Sequence, residues 1–295
     1  MHTKGGCRRT WGRRRHWSAA ALKVAMPHSL PRLAAPALLL ALAACAGAPQ
    51  QGEFLSSYEG LAPRTDMVRA GALDRTDANA LAGVTAVRIE PTVFAPRAEA
   101  KAWMTPAEQT ALLREVDAQL CFELSERFEI AATAAPQVPR VRAAVTEVVP
   151  TGRAGSAASA AAGFFIPGPI GVRVPGALGG LGAEAEMLDP QGQQVAAIVW
   201  RRTATAIGTD NPSLSRIGDA LQFVEPFADA AAAAMTPEDH TARSITAETD
   251  PCREFGARFR VEGLGARFIT GLYVPEASAA RPAQAQPEPE PAAPR

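Results

Sequence analysis

Beyond Cys45 the chain has a single histidine, His240, and a single lysine, Lys101. Metal clusters and general acid–base sites draw heavily on histidine. No metal, no cofactor and no catalytic residue is therefore expected, and the chain reads as a non-enzyme. His240 sits in the polar stretch Pro237-Glu238-Asp239-His240-Thr241, and no Gly-x-Ser-x-Gly elbow is present to supply a serine nucleophile. Asp66, Asp74 and Asp77 lack the spacing of a calcium loop. Gly176 to Gly182 is glycine-rich, but no Lys-Ser/Thr follows and no helix is expected after it, so it reads as a linker rather than a phosphate loop. Basic charge is also short. All eight charged residues before Cys45 are basic, so of 30 basic and 30 acidic residues, 22 and 30 follow it. An acidic remainder lacks the footprint that nucleic acid requires, and no nucleic-acid partner is expected. Adhesion to anionic lipid by charge alone is equally disfavoured.

What is present is an address. Leu42-Ala43-Ala44-Cys45 follows the apolar run Pro36–Ala41, a basic region precedes that run, and the first acidic residue is Glu53. This order is that of a lipoprotein signal, with Cys45 as the lipidation site and residues 1–44 removed. The run is shorter than the ~20 residues needed to span a bilayer. Met26 is the expected true start, because Met26 to Arg32 already supplies a basic region; a twin-arginine signal built on Arg8-Arg9 or Arg13-Arg14-Arg15 is the alternative. Cys7 leaves with the leader. Cys121 and Cys252 remain, and in an oxidising compartment they read as a disulfide, with two separate buried thiols as the alternative.

The rest divides into a tether over 45–53, an α+β domain over 54–235, an extension over 236–277, disulfide-linked to the core if that pair forms, and a disordered Pro/Ala/Glu-rich tail over 278–295. Phe54, Leu55, Tyr58 and Leu61 suit a helical turn or a segment laid on the core. Strands are expected near 84–94, with Pro91 interrupting, and near 138–149, 183–188 and 194–202. Asp189-Pro190-Gln191-Gly192 provides a turn between the last two. Thr105-Pro106-Ala107-Glu108 is a capping box that opens a helix with an apolar stripe at Leu113, Val116, Leu120 and Leu124. A second helix is expected over Ser215–Met235, with Pro226 kinking it or marking its start. Alternation at Phe255, Ala257, Phe259 and Val261 favours a strand, with a hairpin returning to Val274. The expected fold is α+β: a mostly antiparallel sheet with two helices packed on one face.

The lipidated cysteine, the spacing Phe54-Leu55-x-x-Tyr58-x-x-Leu61, the strands Val87–Pro91 and Val141–Thr146, Glu184-Ala185-Glu186-x-x-Asp189-x-x-Gly192 and Gly218-Asp219-Ala220 occur in this order. Together they resemble the proteobacterial lipoproteins of domain-of-unknown-function family 3313, over roughly Phe54 to Met235. The resemblance implies an envelope lipoprotein and assigns no activity. With Ala46 after the lipidated cysteine, it implies placement at the outer membrane, facing the periplasm.

One further stretch invites function. Phe164-Phe165-Ile166-Pro167-Gly168-Pro169-Ile170-Gly171-Val172 is apolar and lies in a long connection between strands. It either folds over the sheet or offers Phe164, Phe165 and Ile166 to an envelope protein partner or the membrane. The leading expectation is a non-enzymatic binding or assembly module of the cell envelope. An auxiliary component of an envelope transport system, using the 164–172 loop, is the second reading. A hydrolase using Glu184, Glu186 or Asp189 is the third, although strand alternation places both glutamates on the solvent side.

Overall fold

The structure, a computed structural model, describes residues 49–131, 135–163, 171–237 and 240–280. Its elements in chain order are β1 (Ala62–Pro63), β2 (Gly71–Thr76), α1 (Ala78–Leu81), β3 (Ala86–Ile89), β4 (Val93–Phe94), α2 (Ala100–Trp103), α3 (Pro106–Ser125), β5 (Glu129–Ile130) and β6 (Arg140–Val149). There follow α4 (Arg153–Gly163), β7 (Gly171–Val172), β8 (Gly180–Leu188), β9 (Gln194–Thr203), β10 (Ile207–Gly208), α5 (Gly218–Ala234), α6 (Val261–Thr270) and α7 (Pro275–Ser278). The main sheet runs β1-β2-β9-β8-β6-β3-β5, with β4 also on β6. The long pairings β2·β9, β9·β8 and β8·β6 are antiparallel, while β3, β4 and β5 join in parallel. This is the α+β architecture with a mostly antiparallel sheet that the sequence implies.

The two faces of the sheet follow from period-2 alternation. Val141, Ala143 and Val145 of β6, Ala183, Ala185 and Met187 of β8, and Ala196, Ile198 and Trp200 of β9 are buried in one cluster with both long helices. Those helices contribute Leu112, Val116, Leu120 and Leu124 from α3, and Leu221, Val224, Phe227 and Ala228 from α5. Alanine on the sheet lets α5 lie close, and Thr76 donates to the Ala234 carbonyl at 2.6 Å. Helix α3 opens on the expected capping box of Thr105 and Glu108. Helix α5 runs over Gly218–Ala234 with Pro226 inside it, so Pro226 does not mark its start. The β8–β9 turn is the expected one: Asp189 accepts from the Gln191 and Gln193 amides, and Gly192 adopts φ 83°.

Three expectations need correction. The long connection expected between strands is not all loop: its Ala/Ser run is helical over Arg153–Gly163, because alanine is the strongest helix former. Ser159 turns inward there and accepts from the Val174 amide at 3.0 Å. The glycine stretch ending at Gly182 is no linker: Gly180–Gly182 open the central strand β8, and a Cβ on Gly180 or Gly182 would press on the neighbouring strands. Residues 255–274 form no hairpin. Gly256, at φ 89°, turns the chain after a 3-10 turn at Arg253–Phe255, and the helical repeat Val261, Leu264, Phe268 takes over. Beyond the expected strands, β2 pairs along β9 and carries the short β1 on its outer side.

The segment from 240 to 280 is tied to the core. Cys121 of α3 and Cys252 form a disulfide, with Cα atoms 5.8 Å apart. Arg258 grips both Asp250 oxygens at 2.8 Å and donates to the Phe122 carbonyl near the end of α3, where a cation complements the helix dipole. At the other pole of the sheet, Arg173 and Asp219 make a fully buried two-pronged pair at 2.6 and 2.9 Å, and Asp219 also accepts from the Gly179 amide. Removing one member of such a pair strands the other. Arg173→Met is expected to lower stability by about 3–5 kcal/mol in urea unfolding, and Arg173→Met combined with Asp219→Leu by clearly less.

Candidate functional site

The sheet face turned away from the helices carries Arg142, Glu184, Glu186, Ala197 and Val199 in register. Glu184 and Glu186 are not on a solvent face, as alternation suggested. Both are fully buried, because the segment Gly52–Leu61 lies over them as a strap. Alternation separates the two faces of a strand; it does not reveal whether a second layer covers the outer one.

The strap is built to satisfy carboxylates. Glu184 accepts from the Gly52 amide at 2.5 Å, the Phe54 amide at 3.3 Å and the Tyr58 hydroxyl at 2.8 Å. Glu186 accepts from the Ser56 amide and hydroxyl, both at 2.9 Å, from Gln194 at 2.6 Å and from the Arg142 Nε. Arg142 also stacks over the Phe54 ring at 4.8 Å and donates to the Phe54 carbonyl, while Gln194 reaches the Ser57 carbonyl. Leu55 packs on Ala197 and Val199. The docked chain begins at Gly52, inside the stretch expected as tether. A Cβ at Gly52 would fall 2.3 Å from Thr146 Cγ2, so only glycine lets the backbone approach. Glu53 adopts φ 61°, unusual for a residue with a side chain, and turns the strap into place.

Burial pushes the Glu184 carboxyl above the usual carboxylate range, against the pull of its donors. Burial and the Glu184 hydrogen bond push the Tyr58 phenol up to about 12. Both carboxylates spend their lone pairs on the strap, and Asp189 spends its own on the turn amides. The arrangement is a clamp for a peptide backbone. Sequence reasoning did not single out Gly52, Arg142 or Gln194. The available signal was two acids at i, i+2 in an otherwise apolar central strand.

Beside the strap's entry lies an open cleft of about 810 Å³, lined by Gln51, Arg97, Trp103, Thr146, Glu147 and Arg201. Its arginines are paired, Arg97 with Glu53 at 2.8 Å and Arg201 with Glu147 at 2.7 Å. The other sequence candidates do not converge on it. Cys121 and Cys252 lie bonded in the helix layer, and His240 rests against the Phe128 ring at 5.6 Å. Asp74 and Asp66 face Arg64, and Asp77 caps α1. Cys45, Phe164, Phe165, Ile166 and Asp239 lie outside the described residues. Among the described residues no group of three or more His, Cys, Asp or Glu is placed to hold a metal ion.

A family of proteins of unknown function, DUF3313, matches residues 50–231. The chain belongs to this family. The matched region starts at the strap and ends within α5, so strap, sheet and both long helices are family features, whereas the disulfide-linked segment with Cys252 lies beyond it. No curated protein matches. Among solved structures, the PelC dodecamer from Paraburkholderia phytofirmans shows 11% identity and a TM-score of 0.33, over 58% of this chain and 99% of that one. A point variant of that dodecamer, from the same organism, gives 10% and 0.32 over the same shares. Similarity this low speaks to neither function nor assembly.

Two outcomes test the clamp. Gly52→Ala is expected to cost about 1–3 kcal/mol by overpacking. It should also abolish hydrogen-exchange protection at the Gly52, Phe54 and Ser56 amides while α3 and β8 stay protected. The Glu184 carboxyl has a raised folded-state pKa, so its linkage contribution is full below the ordinary carboxylate value and is lost as pH rises through the folded value. The stability difference between wild type and Glu184→Gln, followed by urea unfolding, should therefore shift in favour of wild type as pH falls through the range just above the ordinary carboxylate value.

Proposed function

We propose that this chain is a cell-envelope lipoprotein, anchored by lipid on Cys45 at the outer membrane and facing the periplasm, which acts by binding or assembly rather than by catalysis. The observation that carries the reading is the strap. Six residues, Ala46 to Gln51, separate the lipobox cysteine from a backbone segment clamped onto the central sheet. A cysteine that carries lipid and then a short lead into a docked strap makes a mounting for the whole sheet. The Cys121–Cys252 disulfide supports the compartment, since such bonds persist in oxidising surroundings. The carboxylates that would serve hydrolysis are engaged in holding the strap, which favours a binding surface over an enzyme. The open cleft at the strap's entry offers arginine, glutamine and an aromatic ring to a partner.

Cys45→Ser is expected to move the protein from the outer-membrane fraction into the soluble periplasmic fraction. The wild-type N-terminal peptide should carry a diacylglycerol and acyl mass that the variant lacks. The protein extracted without reductant should show no free thiol at Cys121 or Cys252. A Cys45→Ser chain that stays membrane-bound, alongside an unmodified wild-type Cys45, would overturn the anchor.

A further inference from the structure

Helix α6 is mounted inside out. Amphipathic helices on a domain surface turn their large apolar residues toward the core. In α6 the side turned to the body is made of small residues: Gly263 is buried against α7, where a Cβ would meet Ser278 Oγ at 2.6 Å. Val261, Leu264, Phe268 and Ile269 point outward, and Phe268 is 95% exposed. No described element covers this face.

The position of α6 in the fold narrows what covers it. Tyr273, three residues past the helix, donates its amide to the Pro212 carbonyl, and its own carbonyl accepts from Ser213. That places the end of α6 beside Leu214, in the connections that cap the Gly71, Val149, Gly180 and Thr203 ends of the sheet. The same connections hold other large apolar side chains in solvent: Val68 is 92% exposed, Ile207 69% and Leu214 48%. The turn Asp189–Gly192, at the far end of β8 and β9, is polar by contrast. The strap also enters nearest the apolar end, with Gly52 on Thr146, next to Glu147, which pairs with Gly182, itself paired with Arg201.

We propose that this apolar end rests on the lipid surface that anchors Cys45, with the outward face of α6 seated at the boundary between headgroups and acyl chains. The inference rests on the anchor reading given above. Residues between Cys45 and Gly52 span at most about 25 Å, so lipid on Cys45 holds the strap's entry, and with it this end of the sheet, close to the bilayer. A protruding helix with phenylalanine, leucine and isoleucine on its outer face suits such a boundary, into which apolar faces sink by roughly 5–10 Å. The contact is apolar in origin, which fits a domain whose net charge gives no attraction to anionic lipid.

The test uses the full chain as extracted from cell membranes, with the state of Cys45 read by mass, reconstituted alone into phosphatidylethanolamine–phosphatidylglycerol vesicles. A fluorophore is placed at Phe268→Cys or, as a control on the far turn, at Gln191→Cys. Both positions are exposed, so neither label disturbs packing. Lipids carrying a nitroxide on the upper acyl chain are expected to quench position 268 severalfold more than position 191. Equal quenching at the two positions, with acylated Cys45 seen by mass, would overturn the contact and leave the anchor standing. A blue-shifted but unquenched label at 268 would mean that a second copy covers the helix, which also overturns it. Strong quenching at 268 with unmodified Cys45 would support the contact and remove the anchor.

Discussion

Two carboxylates in the middle of a sheet set the terms for everything laid on that face. Glu184 and Glu186 sit on β8, which has β6 on one side and β9 on the other, so no strand edge is free to supply donors in the plane. A buried ionised carboxylate without partners is costly enough to change its protonation or the fold around it. The chain meets this demand with main-chain amides from Gly52, Phe54 and Ser56, reinforced by Tyr58, Arg142 and Gln194. The dependence runs both ways. Without the strap the glutamates would regain water but Ala197 and Val199 would be stripped; without the glutamates the strap would have few fixed points.

The opposite face follows a different rule. There the contact is apolar, and its closeness is set by alanine on β6, β8, β9 and α5. Small side chains bring a helix near a sheet and leave little room for rearrangement, so position rather than bulk fixes the layer. The segment after α5 adds no comparable core. It is held by discrete ties: the disulfide to α3, Arg258 on Asp250 and the Phe122 carbonyl, and the Ala280 amide on Glu115. Such ties fix where α6 stands while leaving its apolar side free.

These contrasts explain which parts of the molecule could be read from residues alone. The capping box at Thr105, the Asp189–Gly192 turn and the apolar alternation of β6 and β9 are local signals, and the elements follow them. The docking of Phe54, Leu55 and Tyr58 was legible for the same reason, since apolar residues beside a polar lead-in need a surface. What covers Glu184 was not legible, because it depends on contacts about 130 residues apart in sequence. Helix α6 misled for a related reason. Its large residues do not face the body, so periodicity carried no mark of a core, and the alternation at 255–261 came from a turn at Gly256 and an extended entry. Strand β2, Gly71 to Thr76, mixes Asp74 and Arg75 with apolar residues and is a strand only because β9 pairs with it.

The strap also decides what an anchor at Cys45 would mean mechanically. With the strap free, the chain from Cys45 to β1 could extend roughly 55–60 Å, and a domain on such a leash would tumble over the membrane in any orientation. Docked from Gly52, the free part falls to about 25 Å, shorter than a domain of this size is wide. The clamp on Glu184 and Glu186 would therefore turn a long linker into a short mounting. With such an anchor, the hydrogen bonds of the clamp would set how far the domain can stray, and the contact proposed for α6 would set which end faces the bilayer. The surfaces near the strap's entry, the cleft with Arg97 and Trp103 on one side and the apolar end with Ile207 and Phe268 on the other, are those such a mounting would hold nearest the membrane.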